Sequence, residues 1–425
     1  MTTSSSAFVV ARGRPLLAVA AGPGADIPGR EGADRRSRLH AGDGTHLVHA
    51  DLHNHTLLSD GAGSPNDAFA AMRDAGVDVA ALTDHATLSA DVVLPPHGTS
   101  REERDRDFRY AHAPRGLDED SWVLAGKLAE AVDDPGSFTA IRGFEWTEPW
   151  LGHVNVWLSE EWTDVREVGS TAGLMRWLTD AGASGVTGLT PVFGFNHPGR
   201  EPGRFERFRF DRELVERMVS LEMFNRGDDY LFEGLREGRP SPLLAALDAG
   251  WRPGLIGVTD EHAATWGSAE GRGRAGLWVR EHSRAGVIEA LQARRSYATR
   301  LSGLRLDASL AGERMGRALP PGARRTVLRV DVDRGPAWVG RPLVAQLLRP
   351  EDDPAVPAVR AAVPLTCGEV LETEVNLGNP PPEGRVDWVV LRIADPGDVN
   401  RTPGPAGHEA NNRAVAYASP WWLRP

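Results

Sequence analysis

The stretch Asp51-Leu52-His53-Asn54-His55-Thr56, followed by Ser59-Asp60-Gly61, constrains this chain more than any other. Two imidazoles at i and i+2 on an extended strand project to one face, a geometry that suits a metal ion. Val48, Ala50 and Leu52 alternate with His49, Asp51, His53 and His55. A strand of period 2 buries the aliphatic set and lines a polar cavity with the other. One HxH pair is weak evidence, but similar polar strand ends recur: Thr83-Asp84-His85, Gly143-Phe144-Glu145, Gly152-His153-Val154-Asn155, Asn196-His197-Pro198 and Asp260-Glu261-His262. The candidate ligands are therefore His53, His55, Asp60, His85, Glu145, His153, His197, Asp260 and His262.

Imidazole nitrogens with hard carboxylates suit Mn2+, Fe2+ or Zn2+, and the lack of thiolates argues against a structural cysteine-type zinc site. A glutamate such as Glu145 has two oxygens and can bridge two ions. Ions roughly 3.5–4 Å apart can share a hydroxide, bring its pKa toward neutrality and clamp the attacking and leaving oxygens of a displacement. Hydrolysis is the expected reaction type.

From Leu47 onward strand and helix signals alternate, which points to an α/β barrel. Ser64-Pro65 starts a helix, with Ser as N-cap and Pro at the first position, and Gly76 ends it. Strands are expected over 77–82, 138–144, 153–158, 192–196, 221–225 and 255–259, and helices over 121–132, 171–181, 242–249 and 290–299. Most candidate ligands then fall at strand C-terminal ends, where barrel enzymes carry their chemistry; His53, His55 and His153 are expected within their strands. Residues 1–44, rich in Ser, Gly, Ala and Arg, read as an N-terminal extension, partly disordered or packed on the barrel. Past residue 300 short alternating runs separated by Gly and Pro predict an all-β sandwich over 301–425.

The order HxH, Asp, His, Glu, His, His, DxH over about residues 45–300 resembles the PHP (polymerase and histidinol phosphatase) metallohydrolases. The "RRSYAT" segment and a tail closing on "AVAYASPWW" look like the CehA/McbA branch, some members of which hydrolyse aryl carbamates. The resemblance implies a distorted (β/α)7, TIM-like barrel with a trinuclear metal centre of two to three divalent ions. One ion would be held by His53, His55, Glu145 and Asp260. Glu145 would bridge to a second, held also by His153 and His197, and Asp60, His85 and His262 would hold a third. Glu145, Asp260 and His197 would then be catalytic.

A net charge of −11 and a pI near 5.7 offer no global attraction to nucleic acid or anionic membranes, so neither is an expected partner. The single cysteine, Cys367, cannot form an internal disulfide, and no apolar run approaches the ~20 residues of a membrane span. A cytoplasmic location is expected. Arg12 and Arg14 before Pro15–Ala21 only loosely mimic an export signal, with an apolar core at or below the lower end of the usual ~7–15 residues.

Two loops bear on the substrate. The segment Arg101–Asp107 reads as a solvated, salt-bridged insertion, with a lid as the alternative. Arg200, Arg204, Arg207 and Arg209 form a local basic cluster after His197. Guanidinium forks suit phosphate or carboxylate, which makes Arg200 the candidate for gripping an anionic small-molecule substrate. Trp146, Trp150 and Trp266 are candidates for the pocket wall, and Asp51 and Asp84 are expected to orient ligand imidazoles. The leading expectation is a phosphoesterase of a small-molecule ester. The alternatives are a carbamate or amide hydrolase on the same metal site and a non-catalytic metal- or carbohydrate-binding protein. Substrate, metal identity and oligomeric state stay open.

Overall fold

The computed structural model describes residues 32–87, 116–180, 184–268 and 271–423. Strands β1 (His46–Asp51), β2 (Val79–Leu82) and β3 (Thr139–Glu148) lie parallel. β3 turns straight back into β4 (Gly152–Trp157), which pairs antiparallel with both β3 and β5 (Val192–Phe195). β6 (Met218–Asn225) runs parallel to β5, and the two-residue β7 (Asp228–Asp229) folds back on its end. β8 (Gly254–Val258) is parallel to β6. On the other side of β1, β9 (Arg274–Val279) and β10 (Ser296–Thr299) add in antiparallel fashion.

Side chains from β1, β2, β3, β4, β5, β6, β8 and β9, among them Ala50, Ala81, Ile141, Val192, Ile256 and Leu277, form one buried cluster. The sheet therefore curls around a shared core. The hairpin from β3 to β4 breaks the strand–helix alternation expected of a (β/α)7 barrel. Among the described residues β8 pairs with β6 and has no ladder to β9, so the architecture seen is a curled mixed sheet with helices packed against it.

Those helices are α1 (Pro65–Asp74), α2 (Glu119–Val132), α3 (Thr171–Asp180), α4 (Pro242–Asp248) and α5 (Arg284–Gln292). α1 starts as the sequence suggests: Ser64 Oγ accepts from Asp67 N at 3.2 Å and Pro65 occupies the first turn. The helix expected over 290–299 is a correction. α5 stops at Gln292, Arg294 takes a left-handed φ of 56°, and Ser296–Thr299 is strand β10. The reason is Tyr297, whose ring fills the space left by Gly276 on β9; a Cβ there would meet the ring at 2.0 Å.

The sandwich strands are β11 (Arg305–Leu310), β12 (Glu313–Arg314), β13 (Arg325–Asp333), β14 (Pro342–Arg349), β15 (Ala358–Thr366), β16 (Val370–Asn376), β17 (Trp388–Val399), β18 (Asn412–Ala418) and β19 (Trp421–Trp422). Four of them form a small sheet in the order β12-β11-β13-β16. The rest extend the large sheet as β15-β14-β17-β18, with β19 paired to β17, and join through β18 to β10. Leu306, Leu328, Val330, Leu347, Leu391 and Ile393 pack between these layers. Of the N-terminal extension, the described part is tied down: Arg35 pairs with Asp78 at 2.5 Å, and Arg38 with Asp331.

Candidate metal centre

All nine side chains singled out in the sequence come together. His53 and His55 follow β1, His85 follows β2, Glu145 lies on β3, His153 on β4, His197 just beyond β5, and Asp260 and His262 beyond β8. His53 and His55 thus sit past the end of their strand rather than within it, while His153 is inside its own as expected. Asp60 is carried by a tight turn at whose exit Gly61 is required: a Cβ there would lie 2.6 Å from the His55 carbonyl carbon.

Glu145 is the hub. Its Oε1 lies 3.2 Å from His53 Nε2, 3.2 Å from His153 Nδ1 and 3.4 Å from His197 Nε2. Its Oε2 lies 2.7 Å from His85 Nδ1 and 3.5 Å from His55 Nε2. Asp260 Oδ1 approaches His55 Nε2 at 3.2 Å, His262 Nδ1 at 3.4 Å and His53 Nε2 at 3.5 Å. Toward solvent, Asp60 faces His262 at 3.4 Å, His85 at 3.8 Å and His55 at 4.0 Å. Four sets in this constellation have the compactness that one ion requires: His53/His55/Glu145, His85/Glu145/His153, His153/His197/Glu201 and His55/Asp60/His85/His262.

The electrostatics follow from burial among opposite charges. Burial alone raises a carboxyl pKa, but the imidazoles of His53, His85 and His153 hold Glu145 well below the usual range. His53 and His55 do the same for Asp260. Burial, reinforced by the neighbouring His85 ring, holds His55 well below its ordinary value. For His197 burial favours the neutral ring, yet Glu201 beside it lifts the pKa to about 9.

The donor set fits divalent cations. Two ring nitrogens, His53 Nε2 and His55 Nε2, face each other at 3.0 Å, and His55 Nδ1 is buried with no hydrogen-bond partner among the described residues. Buried imidazoles packed nitrogen to nitrogen around buried carboxylates are what a cation with N and O ligands organises.

Three contributors were not foreseen. Glu222 on β6 is fully buried and receives His53 Nδ1 at 2.8 Å; Glu201 lies 3.4 Å from His197 Nδ1. Arg226, at a left-handed φ of 54°, reaches Asp260 Oδ2 at 3.1 Å and His262 Nδ1 at 2.8 Å. A lone acid between Leu221 and Met223 in an apolar run was the available signal for Glu222. For Glu201 it was the i+4 spacing from His197.

Asp51 and Asp84 do not orient imidazoles. Asp51 accepts from Thr259 N at 3.1 Å and Thr259 Oγ1 at 2.6 Å, pinning the exit of β8. Asp84 accepts from Thr56 N and Ser59 Oγ, both at 2.7 Å, and so shapes the turn that carries Asp60. Arg200 is exposed, donates to the Tyr230 hydroxyl at 3.2 Å and lies within electrostatic reach of Asp260 and Glu201. Arg204 is buried and donates to the carbonyls of Pro240 and Glu233, whereas Arg207 and Arg209 are exposed. Trp146 belongs to the core and Trp266 donates to the His55 carbonyl at 3.2 Å. The segment Arg101–Asp107 lies outside the described residues.

No protein-family model and no curated protein matches the chain. Among solved structures, the chain is similar to a two-domain protein from Bacteroides vulgatus ATCC 8482 containing a predicted PHP-like metal-dependent phosphoesterase. The identity is 17% over 91% of this chain and 99% of that one, with a TM-score of 0.43. A second similarity is to a protein of Bifidobacterium adolescentis ATCC 15703 named as a candidate metal-dependent phosphoesterase. It has 15% identity over 51% of this chain and 88% of the other, with a TM-score of 0.26. At this level of similarity neither fixes the role of a residue, and the reading of the site rests on its own geometry.

Proposed function

We propose that the chain is a metal-dependent hydrolase of a small, anionic ester, with a phosphoester as its substrate. The observation that carries the reading is Glu145, one carboxylate facing the nitrogens of five buried histidines at 2.7–3.5 Å. His53, His55, Glu145 and Asp260 would hold one ion, Glu145, His153 and His197 a second, and Asp60, His85 and His262 a third. Bound divalent ions supply Lewis-acid stabilisation of developing negative charge and activation of water as a nucleophile.

The chain's own residues do the rest. Asp84 and Gly61 set the turn that presents Asp60, the exposed member of the group, with 41% of its side chain accessible. Substrate therefore approaches from the Asp60–His262 side. Among the described residues, Arg200 and Arg226 are cations at the site; Arg200, which donates through its tip to Tyr230, would offer further N–H groups to a phosphate oxygen. The cationic margin favours the phosphoester over a carbamate, whose neutral carbonyl gains little from a guanidinium. The test is metal content by elemental analysis together with hydrolysis of p-nitrophenyl phosphate, bis(p-nitrophenyl) phosphate and an aryl N-methylcarbamate by the Mn2+-loaded protein. Two to three ions per chain with phosphate-ester turnover supports the proposal. Turnover of the carbamate alone moves the reaction to that class, and a metal-free, inert protein overturns the reading.

A further inference from the structure

His53 and His197 share an arrangement that the nine-residue constellation does not explain. Each presents Nε2 to Glu145 Oε1, at 3.2 and 3.4 Å, and each turns Nδ1 toward a second, buried glutamate: Glu222 at 2.8 Å and Glu201 at 3.4 Å. Glu222 does more than receive a ring. Its other oxygen accepts the backbone N–H of His197 at 2.6 Å and the side-chain amide of Asn225 at 2.9 Å. His197 itself sits at a positive φ of 25°, a conformation that needs outside support in a residue with a side chain. A register shift in the β6–β8 pairing falls between Glu222 and Phe224, the kind of irregularity that re-aims a side chain at a site.

We infer that Glu222 is a positioning residue that fixes the His53 hydrogen on Nδ1 and the His197 backbone at once, so that His53 offers Nε2 to the centre; Glu201 faces His197 Nδ1 at 3.4 Å without a hydrogen bond to it. A carboxylate only accepts, so a ring nitrogen 2.8 Å away must carry the hydrogen. When the ring is neutral, as a cation ligand must be, its lone pair is then on Nε2, the nitrogen that faces Glu145. The inference rests on the metal-centre reading for its purpose, but the hydrogen's position does not depend on any ion.

The substitution Glu222→Gln separates the possibilities because it keeps shape and removes one acceptor. With its oxygen kept on the His197 and Asn225 side, which retains two of three hydrogen bonds, the glutamine amide points N–H at His53 Nδ1. His53 must then accept there, and its hydrogen moves to Nε2, blocking the nitrogen needed by a cation. In imidazole 15N–1H spectra the wild-type protein, metal-free or Zn2+-loaded, should show a hydrogen-bonded Nδ1 proton on His53; the metal-free variant should show the proton on Nε2. Zn2+ affinity measured by chelator competition should fall about 10–100-fold, the range for loss of an outer carboxylate partner. The Co2+-loaded variant should show an altered d–d spectrum. A wild-type His53 without a proton on Nδ1 overturns the inference and needs no variant. A folded Glu222→Gln protein with unchanged Zn2+ affinity and Co2+ spectrum overturns it as well. If the wild type takes up no metal while the Nδ1 proton is present, the metal-centre reading fails and the hydrogen placement stands.

Discussion

Replacing His49 with glutamine should remove a defined part of the fold's acid sensitivity. His49 lies on β1, four residues before His53, is buried, and has an Nδ1 with no hydrogen-bond partner among the described residues. Burial, aided by the Arg35 guanidinium and only partly opposed by Asp78, depresses its pKa from 6.5 to about 3. The unfolded chain therefore takes up a proton below pH 6.5 that the folded chain refuses. Stability from this residue is complete above pH 6.5 and is lost progressively as pH falls toward 3. The loss is on the order of 1 kcal/mol near pH 5.5, 3 kcal/mol near pH 4.5 and 5 kcal/mol once pH is below 3. Urea unfolding followed by tryptophan fluorescence, at pH 7.5 and 5.5 with chelator present to exclude metal linkage, gives the comparison. The stability difference between wild type and His49→Gln should shift by about 1 kcal/mol in favour of the variant on acidification. Every other ionisable group is common to both proteins and cancels. Parallel pH dependences would refute the claim that His49 is held neutral in the fold.

Four other substitutions address the site and its support. His53→Ala and Glu145→Ala should each lose bound metal and all hydrolysis; full activity in both, by the phosphate-ester assay and elemental analysis, would remove the basis of the site assignment. Arg200→Ala should leave metal content unchanged and raise KM for an anionic ester about 10–100-fold, the equivalent of one charge-assisted hydrogen bond; an unchanged KM would place Arg200 outside substrate binding. Tyr417→Phe should destabilise by about 1–3 kcal/mol, because it strips a donor from the buried Asp229 carboxylate at 3.0 Å, and thermal unfolding at fixed pH reads this directly.

What could be read from the sequence is what local pattern encodes. The alternation Val48/Ala50/Leu52 against the polar set, and the recurrence of His and acid at strand ends, identify a row of side chains bound for one place, and all nine arrive. Gly61 and Ser64-Pro65 likewise report local backbone needs. The signal for Glu222 was ambiguous because its partner is a ring 169 residues away, and a lone acid in an apolar strand reads equally as an exposed edge. Asp51 and Asp84 look like partners for adjacent histidines in sequence, but strand geometry sends their carboxylates to Thr259 and to Thr56 and Ser59. The segment 290–299 has helical composition throughout, and only the cavity above Gly276, a feature of another strand, draws Tyr297 into the sheet.

The same tertiary dependence explains why the chain's β-rich tail cannot be treated as remote from the centre. A cut at residue 301, where composition changes, would separate β10 from β18, its hydrogen-bonded neighbour. The consequence reaches further than one sheet edge. Asp229, the base of the β6–β7 hairpin, is buried and held by the Tyr417 hydroxyl at 3.0 Å and by Asn400 at 3.3 Å, with Arg300 at 3.9 Å. Arg392 donates to the same hydroxyl at 3.1 Å, and Arg300 also lies over the Phe224 ring at 4.5 Å. The arm of that hairpin bears Glu222 and Asn225, and its turn bears Arg226; these are the groups that hold His53, the His197 backbone, Asp260 and His262. A buried carboxylate without its partners loses several kcal/mol of compensation, so the hairpin cannot keep its place when Tyr417 and Asn400 are removed. The tail strands thus enter the geometry of the centre through one turn, without contributing any of the nine clustered side chains.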